Sequence, residues 1–353
     1  MMEVNNDDMW IEVEHGVFLP DIARMVLARL AERKPITSNY DTSELGKILV
    51  RQLEETRDGP TGSLRLSSAG KCQRALAYDY HHYKPNGFVS DESAPIVFAV
   101  GDIVEMLIVA ALHDATDQIK TINITSTGLN QETVCLEVPI PANPDLITAP
   151  THYRDNATRV ARISGHPDGI MSIPMYRRGL LGEEEFTIVD GILEVKSMSD
   201  YGFKRFRDGG LGKDDLYNYQ TQAYQLAKTQ MTGKPFNWTY MIALGKNVTV
   251  KDGIIREDGS WAKAKPIVGH WVKGDDDIKH DIVNRLREVI LTRNPEEIDR
   301  PYKPSTAKAT KGQLRFPCDW CSHWKTCWPN AYEEPASSGF YQKSTKIKLF
   351  VGE

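Results

Sequence analysis

Apolar and polar positions along the chain follow two periods, and the switches between them outline the elements. Helical spacing from Leu19 to Arg33 predicts one amino-terminal helix, followed by a polar stretch that ends on the turn signal Asp58-Gly59-Pro60. From Gly101 to His113 the residues Ile103, Val104, Met106, Leu107, Ile108, Val109 and Leu112 cover nearly the whole circumference of a helix, so that helix is expected to be buried. β-Branched runs punctuated by Gly and Pro then predict strands over Val134 to Ile140, Val160 to Ile173 and Phe186 to Val195. Helical spacing resumes from Asp214 to Thr232. Two further strands (Trp238 to Leu244, Ile267 to Val272) and a helix from Asp276 to Arg293 complete the periodic part. Strands, a helix, strands again and flanking helices predict an α/β fold with a central mixed sheet flanked by helices. Three regions are expected: a helical extension over residues 1–60, a core over 61–300, and a cysteine-rich tail over 301–353 packed on that core. No internal repeat is present.

Composition narrows the class. With 353 residues, 41% of them hydrophobic, the chain can bury a large core. Lys and Arg total 43 against 48 Asp and Glu, so no global positive field advertises nucleic acid, and such a partner must be met by local charge. The most apolar segment, Ile96 to Leu112, is interrupted by Asp102 and Glu105, which argues against a membrane span. Met1 to Asp8 is polar and acidic and carries no export signal, so a cytoplasmic protein is expected.

Four groups of residues carry candidate chemistry. In Leu193-Glu194-Val195-Lys196, strand alternation puts Glu194 and Lys196 on one face and Leu193 and Val195 on the other, so one face can pack while the other reacts. Alone, such a pair is ordinary surface. Gly165-His166-Pro167-Asp168-Gly169 separates two apolar segments and puts Asp168 at a turn or strand end, with Pro174 to Glu185 expected as a surface insertion before the Glu-x-Lys strand. Glu105 is an acid inside the predicted buried helix, where it must be paired, protonated or bound to a cation. Tyr217, Gln220 and Tyr224 fall along one stripe of the helix after the strand.

Five cysteines without an export signal argue against a disulfide framework. Cys318-x-x-Cys321 and Cys327 form a compact group of three ligands that a fourth thiolate would complete. Cys72, in Ser68-x-x-x-Cys72-x-Arg74-x-x-x-Tyr78, is the candidate. Spacing alone suits a 4Fe–4S cluster or Zn²⁺ equally. Cys135 matches no ligand pattern and is expected as a small core residue.

Read in chain order, Glu105, Asp168, Glu194-x-Lys196 and Gln220-x-x-x-Tyr224 resemble the successive motifs of the PD-(D/E)xK nucleases of the RecB family. The one-plus-three cysteine pattern is similar to that of its iron–sulfur members, the AddB-type and CRISPR-associated nucleases. The sequence departs from many of these in carrying Glu105 where they have His. The resemblance implies a restriction-endonuclease-like core, with an iron–sulfur-stapled tail subdomain, acting as a metal-dependent DNA exonuclease on single strands or ends in recombination, repair or phage DNA metabolism. It implies Glu105, Asp168, Glu194 and the Val195 carbonyl as ligands of Mg²⁺ or Mn²⁺, with Lys196 beside the attacking water. It also implies a 4Fe–4S cluster on Cys72, Cys318, Cys321 and Cys327, and DNA contacts by Gln220, Tyr224 and Tyr217. Local positive charge fits that placement. Lys204, Arg205 and Arg207 follow the Glu-x-Lys strand among Tyr201, Phe203 and Phe206, whose rings can stack on unpaired bases, and Lys303, Lys308, Lys311, Arg315 and Lys325 lie in the tail. No phosphate-binding loop is present, so duplex unwinding would come from a helicase or recombinase partner. Two rivals are an end-trimming nuclease for CRISPR spacer acquisition and a zinc-stabilised DNA-binding protein whose acids are structural.

Overall fold

The computed structural model describes residues 10–31, 63–86, 94–119, 122–125, 131–141, 159–179, 183–213, 215–245, 266–306, 311–314, 317–318, 321–335 and 347–351. The chain opens with a hairpin of β1 (Trp10–Glu14) and β2 (Val17–Pro20), followed by α1 (Ile22–Ala31). Then come α2 (Gln73–Tyr80), α3 (Ala94–Ile119), β3 (Asn123–Thr125), β4 (Val134–Ile140), β5 (Arg159–Gly165), β6 (Gly169–Arg178) and β7 (Glu184–Met198). The second half holds α4 (Asp200–Gly209), α5 (Leu216–Thr232), β8 (Trp238–Gly245), β9 (Ile267–Lys273) and α6 (Asp276–Leu291), and the tail β10 (Gln313–Leu314), α7 (Trp324–Cys327), β11 (Ala331–Pro335) and β12 (Ile347–Val351).

The protein is α/β, with a large mixed sheet in the order β1-β2-β6-β7-β8-β9 and β3 also paired to β6. β7 and β8 run parallel, and the other described pairs in the sheet are antiparallel. Alternation along the strands divides the core between the two faces. Met171, Ile173, Leu193, Val195, Tyr240 and Ile242 pack with α1 and α3 on one side. Ile170 and Ile192 pack with α5, α6 and the separate β4–β5 hairpin on the other. The expected run from Val160 to Ile173 is thus two strands in two sheets, broken at His166-Pro167-Asp168, because the Pro167 ring cannot donate to a ladder. Among the described residues, no helix is long and apolar enough to cross a membrane.

Three expectations are corrected. The described part of residues 1–60 is not a helical appendage. Its hairpin extends the central sheet, with Phe18 opposite Tyr176, and Leu19, Ile22 and Val26 are fully buried in the main core. Residues Pro174 to Glu185 are not a loop insertion either, since β6 and β7 stay paired out to Arg178 opposite Glu184, and only residues 179–183 link them. Cys135 is half-buried on the face of β4 opposite its core residues Val134, Leu136 and Val138.

The amino-terminal anchor is polar as well as apolar. Tyr240 Oη accepts from Ala23 N at 2.7 Å, and Trp271 Nε1 donates to Pro20 O at 3.0 Å. Ala23 is in the first turn of α1, whose N–H groups have no partner within the helix. Tyr240→Phe is therefore expected to cost about 1–3 kcal/mol by stranding that buried donor. Urea unfolding measures this, and an unchanged midpoint would show that Tyr240 does not hold α1.

Candidate active site

The edge where β6 begins collects the sequence-predicted residues from four elements. The β6–β7 ladder starts at Gly169 opposite Leu193. One residue earlier, the Asp168 carboxylate takes over from the backbone and accepts the Val195 N–H at 2.6 Å. Asp168 is therefore fixed beside the Glu-x-Lys strand by a contact from strand end to strand backbone, and only 7% of it is exposed. Glu194 and Lys196 point to the same face as Ile192, as alternation predicts, and α5 covers that face.

Polar anchors set the rotation of α5. Asp215 caps its first turn by accepting from Tyr217 N at 3.2 Å, and Gly233 ends it in the left-handed region at φ 67°. The buried amides of Gln222 and Gln225 reach Lys273 O at 2.8 Å and Thr239 Oγ1 at 2.9 Å. With the helix so oriented, its stripe of Tyr217, Gln220 and Tyr224 faces the acids. Gln220 Nε2 donates to Glu194 Oε1 at 2.5 Å, Tyr224 Oη donates to His166 O at 3.2 Å, and the Lys196 amine lies 5.8 Å from the Tyr217 ring centre.

Electrostatics inside this cluster are those of charges out of water. Lys196 pairs with Glu194 Oε1 and stands 4.0 Å from Asp168 Oδ2. Burial, and then the negative charge of Asp168, push Glu194 up to about 8, although Lys196 pulls the other way. Burial also raises Asp168, against the pull of Lys196, the Val195 N–H and a hydrogen bond with Glu105. Burial works against the charged form of Lys196, but the two acids outweigh it and its pKa is raised. Glu105 thus belongs to the cluster, held from behind by Gln131 Nε2 at 3.2 Å. Gln131 and the His166 carbonyl are site groups that the sequence did not single out, and no local pattern marks either.

Glu194 Oε2 is buried with no hydrogen-bond partner, whereas its Oε1 receives both Lys196 and Gln220. A buried carboxyl oxygen with no donor to satisfy it is a feature a hard cation can meet by displacing the proton that burial favours, so the oxygen donors of Asp168, Glu194 and Glu105 are of the type that suits Mg²⁺ or Mn²⁺. Among the described residues, no three His, Cys, Asp or Glu side chains are disposed to hold a metal ion as they stand.

Gly165 makes room for this packing. A Cβ there would lie 2.7 Å from Tyr224 Cε1 and 2.9 Å from Leu66 Cβ. Gly165→Ala is therefore expected to displace the Tyr224 ring and cost about 1–3 kcal/mol. A thermal melt reads the loss, and full stability in the variant would contradict this packing.

The residues expected to meet DNA divide once the fold is seen. On α4, Lys204 and Arg205 are exposed and Tyr201 is 79% exposed. Phe203 and Phe206 instead pack under the helix with Met198, Met241 and Ala243, which corrects their expected role in stacking. Arg205 pairs with Asp215 and Arg207 with its neighbour Asp208. Lys303, Lys311 and Lys325 are exposed in the tail, and Lys308 and Arg315 lie outside the described residues.

The structure brings the distant cysteines together. Cys72 precedes α2, Cys321 precedes α7 and Cys327 ends it, and Asn86 ties the two segments through Ser322 O at 2.9 Å and Thr326 Oγ1 at 2.7 Å. Burial and the proximity of Cys72, Cys321 and Cys327 push the Cys318 thiol up to about 12, and burial foremost takes Cys321 to about 11. Burial raises Cys327 too, against the pull of Arg74 and Arg300. A thiophilic metal binds thiolates, so it would have to displace the protons that burial favours here, and among the described residues no group is disposed to hold one as it stands.

No family model matches this chain, and no curated protein matches it. Among solved structures it is similar to the crystal structure of LHK-Exo in complex with dAMP, at 12% identity and a TM-score of 0.34, over 66% of this chain and 88% of that one. So slight a likeness assigns no family, and the chemistry of the site rests on its own residues.

Proposed function

We propose that this protein is a metal-dependent deoxyribonuclease of the PD-(D/E)xK type that trims DNA single strands or ends. The observation that carries the reading is the convergence of Glu105, Asp168, Glu194 and Lys196 from three separate elements, with one oxygen of the buried Glu194 left unpartnered. A structural salt bridge needs no second acid at this position and no orphaned oxygen.

Asp168 and Glu194 would hold Mg²⁺ or Mn²⁺, with Glu105 a further ligand and the Val195 carbonyl a main-chain one. The bound ion would neutralise the scissile phosphate and make its water more acidic. Lys196, kept protonated by its two acids, orients the attacking water and offsets phosphate charge. Gln220 fixes the Glu194 carboxylate, and the rings of Tyr217 and Tyr224 wall the site from bulk water. Lys204, Arg205 and Tyr201 on α4 offer charge and one exposed ring to a strand leaving the site. The four cysteines would hold a 4Fe–4S cluster, or Zn²⁺, that fastens the tail to the core. A helicase or recombinase is the kind of partner such an enzyme would need on duplex DNA.

Time-resolved digestion of end-labelled single- and double-stranded DNA by anaerobically purified protein tests this. Expected is shortening from an end that requires Mg²⁺ or Mn²⁺ and stops with chelator. Folded protein that leaves both substrates intact with either ion would overturn the reading.

A further inference from the structure

Three consecutive residues before β4 each bind a different part of the site and its supports. Gln131 Nε2 donates to Glu105 Oε1 on α3 at 3.2 Å. Glu132 accepts from Lys228 on α5, with its Oε2 2.6 Å from Lys228 Nζ. Thr133 Oγ1 stands 3.0 Å from His166 Nε2, in the segment that leads to Asp168. The β4–β5 ladder ends where Val134 faces Gly165, so the contact of Thr133 with His166 carries the pairing one residue further through side chains. Lys228 is only 8% exposed and its amine lies 5.7 Å from the centre of the Phe236 ring, which fixes that end of the Glu132 contact in the core.

A glutamine outside helix and strand ordinarily spends its amide on water or backbone, and its neighbours need no anchors of their own. Here residues 131–133 are strapped to α5 and to the segment bearing Asp168, and the strap aims the Gln131 amide at the acid that hydrogen-bonds Asp168. We propose that Gln131 is a positioning residue that holds the Glu105 carboxylate toward the divalent ion, and that the pair of Glu132 with Lys228 sets its place. The inference rests on the metal-site reading of Asp168, Glu194 and Glu105 given above. An amide suits the task because it donates without charge. It orients the carboxylate yet leaves the negative charge to the ion, whereas a Lys or Arg at position 131 would cancel that charge. Partners behind a ligating carboxylate act on metal affinity through that orientation.

Mn²⁺ binding to the full chain tests it, read without DNA from the loss of the electron paramagnetic resonance signal of the free ion. Expected for Gln131→Met, which keeps the bulk of the side chain and removes the donor, is an affinity for Mn²⁺ lower by roughly 10- to 100-fold. Lys228→Met is expected to weaken binding in the same direction. The double variant should lose less than the product of the two single losses, because both act through one segment. A merely structural role would lower the thermal midpoint and leave the affinity of the folded protein unchanged. Wild-type affinity in both folded single variants would overturn the inference while leaving the metal site standing. No Mn²⁺ binding by the wild type would remove the metal site, and the role of Gln131 with it. Binding that both variants weaken, in a protein that leaves DNA intact, would support the role of Gln131 and remove the nuclease. Lys228→Met decides the matter even if Gln131→Met fails to fold.

Discussion

Lys196→Ala is expected to lower DNA cleavage by roughly 10²- to 10⁴-fold, the range over which a positioned proton-transfer or charge-stabilising group acts. The Lys196 amine is the cation that the structure places among the acids, paired to Glu194 and 4.0 Å from Asp168. Without it, two buried carboxylates face each other, and a bound divalent ion can offset their repulsion but cannot orient the water as the amine does. The loss should therefore fall on the rate of the cutting step and spare DNA binding measured with Ca²⁺ in place of Mg²⁺. Single-turnover digestion beside a binding titration separates the two. Wild-type cleavage by the variant would show that Lys196 is only a counter-ion for Glu194.

The second large effect is on stability. Arg29 on α1 and Asp114 on α3 form an ion pair with both side chains 5% exposed. Truncating one member of such a pair leaves a charge in the core with its main partner gone, so Arg29→Ala is expected to destabilise the protein by about 3–5 kcal/mol. Replacing both at once by apolar residues of similar volume, Arg29→Met with Asp114→Leu, is expected to recover most of that loss, because desolvation of two ions roughly cancels their attraction. Urea denaturation of Arg29→Met, Asp114→Leu and the double variant forms the cycle, with Arg29→Ala measured beside them. A double variant no more stable than Arg29→Ala would mean that the pair is worth more than its desolvation. This prediction also probes the joint between the amino-terminal segment and the core, which the sequence did not anticipate.

Local pattern was a good guide wherever one element's own period decided the answer. Glu194 and Lys196 share a face because strand alternation admits nothing else, and Tyr217, Gln220 and Tyr224 share a stripe because helical geometry puts them there. The pattern did not extend to β1 and β2. These strands are short and mostly half-buried on both faces, so their alternation is weak, and they become strands by pairing with β6 more than 150 residues later. Tyr201, Phe203 and Phe206 look alike as a basic aromatic segment. Only the seating of α4 against Met241 and Ala243 decides that two of the rings are core and one is exposed.

By itself the sequence determined the periods, the order of the acids, the same-face pairing of Glu194 with Lys196 and the split one-plus-three spacing of the cysteines. It did not determine that Asp168 would accept the Val195 N–H, that Glu194 would be left with a bare buried oxygen, or that His323 would meet Asp79 with one nitrogen unused. The first set depends on neighbours a few residues apart, whose relation backbone geometry fixes in advance. The second depends on groups 27 and 244 residues apart and on the exclusion of water around them, and those exist only once the sheet has closed and the tail has come to rest on α2.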